Sequence, residues 1–212
     1  MVAERPVWQI LIATVMSRTS LFTELLESLI PQIEPHAGKV EVIAYRDNRQ
    51  RTIGYKRDAL VRAATADYVS HLDDDDIVVD DFVETLLPLM DGVDYVSYDI
   101  VADGNGWDNF VVHHKLNCEP RWGNNERWVD IGHLMPMRRE LHALGKFSGG
   151  WGEDARWSDE IRASGRLKTE HHVDRIMYTY RVSDGELWRA RQRFPAQTIN
   201  PPFPHVRYLR GH

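Results

Sequence analysis

Cysteine is almost missing from this chain of 212 residues, where Cys118 stands alone. One thiol closes no intrachain disulfide and builds no thiolate metal cluster, so a disulfide-stapled scaffold and a zinc ribbon are both excluded. Long apolar runs are missing too. No stretch approaches the roughly 18 to 20 residues that cross a bilayer, and the opening Met1-Val2-Ala3-Glu4-Arg5-Pro6 has neither the basic start nor the apolar centre of a secretory leader. These absences predict a soluble protein of a reducing compartment, the cytoplasm. Excess positive charge is also absent: 26 Lys and Arg against 32 Asp and Glu give a formal charge of -6, which argues against a chain that coats nucleic acid. No repeat of solenoid length occurs. What remains reads as globular, 42% hydrophobic and 27% charged, with a length that suits one domain and a terminal extension.

The first hundred residues alternate between two periods. Residues 7–14 are a short apolar run, fit for a buried strand. Polar residues 17–20 supply a turn and helix cap, and Leu21, Leu25, Leu26 and Leu29 then share one helical face, with Pro31 and Pro35 expected to end the helix. Residues 40–45 read as a second strand, 46–52 as a loop, 53–66 as a second helix carrying Ile53, Leu60, Val61 and Ala64, and 68–72 as a third strand. Such a β-α-β-α-β series predicts parallel strands with right-handed crossovers and a ligand at the strands' carboxyl ends. Beyond residue 100 the pattern loosens into strands over 94–101 and 109–116 and short helices over 136–144 and 154–163. Residues 187–212 carry five arginines, four prolines and no acid, the composition of an arm lying over the body.

The strongest local signal is the third strand running into Asp73-Asp74-Asp75-Asp76. If the backbone stays extended, Asp73 and Asp75 project to one side and form a two-carboxylate claw, the hard oxygen donors that Mg2+ or Mn2+ prefer. Adjacent carboxylates repel, so they either stay solvated at a surface turn or are neutralised by a cation.

The segments 10–14, Asp47-Asn48, 53–60 (Ile-Gly-Tyr-Lys-Arg-Asp-Ala-Leu) and Leu72-Asp73-Asp74-Asp75-Asp76 together resemble the nucleotide-sugar half of a GT-A fold, family-two-like glycosyltransferase. The resemblance implies an α/β fold, with a Rossmann-like nucleotide-binding half over 1–100, an acceptor half over 101–186 and a mixed central sheet flanked by helices. It implies a nucleoside-diphosphate sugar as donor and a divalent cation as cofactor. Thr14, Asp47, Gly54, Lys56, Arg57, Asp73 and Asp74 then belong to the nucleotide-sugar site. Within it, Asp47 lies at the base, Asp73 and Asp74 near the ribose, the two cations near the diphosphate, and Asp75 with Asp73 on the metal.

A second anchor is Gly149-Gly150-Trp151-Gly152-Glu153-Asp154. Acids after glycines suit the first turn of a helix, and capping alone would explain them. The resemblance assigns more: inverting relatives carry a Glu-Asp pair here, which makes Asp154 the general base and Glu153 its neighbour. Trp151, beside the glycines, offers a flat wall for donor or acceptor. Relatives often add a late His to the metal. Residues 178–183 contain none, and His172, just upstream, is the candidate in its place. The expected activity is metal-dependent, inverting transfer of a sugar to an acceptor hydroxyl on a glycan, a protein or a modified nucleic acid. A metal-dependent phosphoryl-transfer or phosphodiester-cleaving enzyme, and a nucleotide-sugar-binding module without turnover, are the rival readings.

Overall fold

A computed structural model of the protein describes residues 5–103, 110–123, 125–148, 152–181 and 206–210. Strand β1, Trp8–Val15, is buried along nearly its whole length, as a strand covered on both faces must be. Its side chains alternate between two helices. Trp8, Ile10 and Ile12 meet Phe22, Leu25, Leu26 and Leu29 of α1, Thr19–Ile33, whereas Leu11 and Ala13 meet Leu60 and Val61 of α2, Ile53–Ala63. Each large apolar side chain so buried stabilises the fold by about 1.5–3 kcal/mol.

Helix α1 continues past Pro31, contrary to the expected stop. The buried Leu29, Ile30 and Ile33 keep its apolar face engaged, and the Gln32 side chain donates to the carbonyls of Ser28 and Val79 at 3.0 and 2.9 Å, pinning the last turn. One lost backbone bond at a proline is outweighed there.

Strand β2, Val40–Asp47, and strand β3, Tyr68–Asp73, pair in parallel with the two edges of β1. A short β4, Ile77–Val78, leads into α3, Phe82–Leu86, and then β5, Tyr95–Asp103. Beyond these come β6, Phe110–His114, β7, Arg121–Trp122, and β8, Glu126–Val129. Where one helix over 136–144 is expected, Met137–Arg138 forms β9, wedged antiparallel between β3 and β5, and only Arg139–His142 is helical, as α4. Met137 is fully buried in that wedge, so sheet continuity prevails over the helical spacing. Helix α5, Glu153–Ser164, precedes β10, Glu170–Arg181, which runs parallel to β5 and antiparallel to β4. From the Arg-rich arm, β11, Val206–Arg210, adds in parallel to the outer edge of β2.

The sheet order is β11-β2-β1-β3-β9-β5-β6-β8-β7, with β10 beside β5 and β4. It is a mixed sheet flanked by helices, the GT-A architecture, and the carboxyl ends of β1, β2, β3 and β10 gather on one rim.

Candidate active site

The rim opens on a cavity of about 280 Å³ lined by Thr14, Arg18, Arg49, Arg51, Lys56 and Asp74 among others. Thr14 ends β1 and Lys56 lies in the second turn of α2, with Gly54 buried in its first. The Lys56 ammonium is almost wholly buried. It donates to the Thr14 carbonyl and to Asp47 Oδ1, both at 3.0 Å. Asp47 also accepts the backbone N–H of Arg49 at 3.2 Å and of Arg51 at 2.8 Å. Burial would raise its pKa, but these bonds prevail and lower it. Asp47 thus shapes the loop after β2, and its neighbours Arg49 and Arg51 face the cavity.

The acidic tetrad does not stay extended. Strand β3 stops at Asp73 and the chain turns at Asp74 and Asp75, so the claw expected from strand alternation is replaced by four carboxylates held by three side chains, Arg57, Arg18 and Tyr178. Arg18, at the start of α1, donates to Asp74 Oδ1 at 2.8 Å and lies 3.2 Å from Asp75 Oδ2. Asp76 accepts the Tyr178 hydroxyl at 2.6 Å and the Arg181 N–H at 2.8 Å. Burial, followed by the neighbouring Asp73, pushes Asp76 up to about 8. Burial also pushes Asp75 up to about 6, against the pull of Arg18, and raises Asp74. Such displaced carboxylates at a strand end mark a place that gains from a cation.

Arg57 joins the two halves of the chain. Its guanidinium, buried over the Phe147 ring, donates at 2.6 Å both to Asp73 Oδ1 and to Glu153 Oε1. Glu153 is thereby buried in the first turn of α5 while Asp154, the next residue, stays exposed. Gly152 enters that helix at φ 82°, a left-handed conformation that glycine adopts without strain. The structure thus brings Asp73, Asp75, Glu153 and Asp154 to one rim, and Arg57 is a strut rather than a free phosphate ligand.

Other expectations part from the structure. His172 lies on β10 with its Nδ1 2.9 Å from the Ser97 hydroxyl, six residues and roughly 20 Å of strand before Tyr178, so it is not brought to the tetrad. Trp151 lies outside the described residues. Among the described residues no group of three or more His, Cys, Asp or Glu is arranged to hold a metal ion. Asp73 and Asp75 nonetheless suit a hard divalent cation. Both keep accessible oxygens, with side chains 26% and 16% exposed, and Mg2+ or Mn2+ commonly takes one or two carboxylates and fills the rest of its shell from phosphates and water. Arg18, Tyr178 and the Arg181 N–H were not legible as site residues. Arg18 reads as part of a polar turn, and the stretch around Tyr178 stands out in the sequence only for its lack of a histidine.

A family model described as Glycosyl transferase family 2 matches residues 9–148. No curated protein matches the chain by sequence. Among solved structures, Staphylococcus aureus TarS 1-349 in complex with UDP-GlcNAc gives a TM-score of 0.65 at 16% identity, over 84% of this chain and 59% of that one. The mannosyltransferase PcManGT from Pyrobaculum calidifontis, in complex with GDP-Man and Mn2+, gives 0.59 at 17% identity, over 89% and 61%. The chain thus spans about 60% of the length of these neighbours, and the likeness is one of fold.

Proposed function

Because the chain belongs to glycosyl transferase family 2, we propose that it moves a sugar from a nucleoside-diphosphate sugar to an acceptor hydroxyl with inversion. The observation that carries this reading is the Arg57 bridge, which ties the tetrad to the helix that presents Asp154. The nucleotide occupies the cavity beside Thr14 and Lys56, and Arg18, which lines the cavity and touches Asp75, is placed for the phosphates. Asp73 and Asp75 are the residues that would hold a divalent cation, which when bound neutralises charge on the departing diphosphate. Asp154 takes the acceptor proton as the hydroxyl attacks the anomeric carbon from the opposite face. Glu153, committed to Arg57, positions Asp154 and is not itself the base. We take residues 1–186 as the catalytic unit and 187–212 as a C-terminal arm, of which Val206–Arg210 pairs with β2. No described helix is long and apolar enough to cross a membrane.

The test is a transfer assay with UDP-GlcNAc and GDP-mannose, Mn2+ or Mg2+, and glycan, peptide and modified-DNA acceptors. Asp154→Asn keeps the shape but cannot accept the proton, so transfer should fall by roughly 100- to 10,000-fold with donor affinity nearly unchanged. A folded variant that transfers at the wild-type rate places the base elsewhere. Release of phosphate without any sugar transfer would favour phosphoryl chemistry instead.

A further inference from the structure

Tyr180 stands two residues beyond Tyr178 on β10, in the regular stretch where Tyr178 to Arg181 pair with Ile100 to Asp103. Residues two apart on a strand leave the same face, so Tyr180 projects on the side from which Tyr178 reaches the tetrad. Asp76 grips the strand on both sides of it, through the Tyr178 hydroxyl at 2.6 Å and the Arg181 N–H at 2.8 Å. The backbone at Tyr180 is therefore fixed to the acidic strand end, yet the residue remains 44% exposed. Tyr55 is as exposed, but Arg51 covers its ring at 4.9 Å and Tyr45 meets it edge-on.

Charges locate Tyr180 further. After burial, Asp73, Asp76, Asp75 and Asp154 all raise the phenol's pKa, so it lies within electrostatic reach of both the tetrad and the candidate base. At neutral pH it is a protonated phenol and can donate a hydrogen bond. A ring carried on a fixed stretch of backbone and left 44% exposed does little for the core. It has instead the features of a stacking surface, because aromatic faces bury apolar area at small entropic cost while the hydroxyl keeps a polar contact.

On the glycosyltransferase reading above, we propose that Tyr180 is the platform for the donor's sugar, its ring against the apolar face of the pyranose and its hydroxyl donating to a sugar oxygen. It contributes to the affinity of the nucleotide sugar and not to that of the nucleotide. Calorimetry with UDP, UDP-GlcNAc, GDP and GDP-mannose in Mn2+ tests this on wild type, Tyr180→Ala and Tyr180→Phe, with circular dichroism to confirm folding. The Ala variant should bind the nucleotide sugar about tenfold more weakly and the matching nucleotide as wild type does, and the Phe variant should lose less. Equal weakening of nucleotide and nucleotide sugar, or no weakening of either, overturns the assignment and leaves the glycosyltransferase reading intact. Failure of all four ligands to bind wild type overturns both.

Discussion

Arg57 is a buried cation shared by two carboxylates from distant parts of the chain, and its removal leaves both uncompensated. Breaking a buried ion pair from one side costs about 3–5 kcal/mol, so Arg57→Met should lower the urea midpoint substantially. Lysine retains the charge but, as a point charge without a fork, cannot reach two partners in the same way, so Arg57→Lys should recover only part of the loss. A midpoint unchanged in the Met variant would show that Asp73 and Glu153 find water or other partners at no cost. Individual residues were legible in kind and less so in role. An acid at the end of β2 and cations in α2 are present as expected, yet Asp47 and Lys56 bond to each other, Asp47 also to the loop and Lys56 to the Thr14 carbonyl. Sequence spacing gives no sign of that pairing, because it depends on where a nine-residue return brings the helix back against the strand.

At the scale of elements, periodicity served where a segment has one covered face. β1, α1, β2, α2 and β3 fall close to where apolar spacing puts them, since each packs against a layer that rewards its period. Segments set by their neighbours escaped. β9 is two residues inserted between two strands, and β10 has register shifts that blur its alternation. The tetrad turns because its backbone follows partners on α1 and β10 rather than its own alternation. The seating of α5 depends on a contact of the same non-local kind. A Cβ on Gly145 would meet the Trp157 carbonyl and Cδ1 at 2.6 Å, and Trp157 is buried in α5 against Phe147 with ring centroids 5.2 Å apart. Gly145→Ala must shift that helix, at about 1–3 kcal/mol, and with it Glu153 and Asp154. The expected result is a lower melting temperature together with slower transfer at saturating donor. A destabilised variant with an unchanged rate would detach the position of α5 from the chemistry.

For the whole molecule, stability against pH is a contest between buried imidazoles and crowded carboxylates. Burial first, then nearby positive groups, holds His71, His114, His133 and His142 each below the ordinary 6.5, His114 and His142 down to about 3. Below pH 6.5 the unfolded chain gains a proton at each while the fold does not, so each lowers stability by about 1.4 kcal/mol per pH unit. Asp75 and Asp76 act in the opposite sense. Their folded pKa values of about 6 and about 8 exceed the ordinary 3.8, so between pH 6 and 4 the fold holds protons that the unfolded chain has lost, and stability rises on acidification. Four groups against two leave the wild type acid-sensitive in that window, and the raised Asp74 lessens the slope. Asp75→Asn removes one compensating proton. Urea unfolding in cation-free buffer should therefore show the variant losing about 1 kcal/mol more per pH unit than wild type between pH 6 and 4.5. Excess Mg2+, by keeping Asp75 ionised, should steepen the wild-type curve toward that of the variant. Parallel curves with and without the substitution would show that Asp75 titrates alike in the folded and unfolded chain, and would remove the electrostatic ground for placing a cation there.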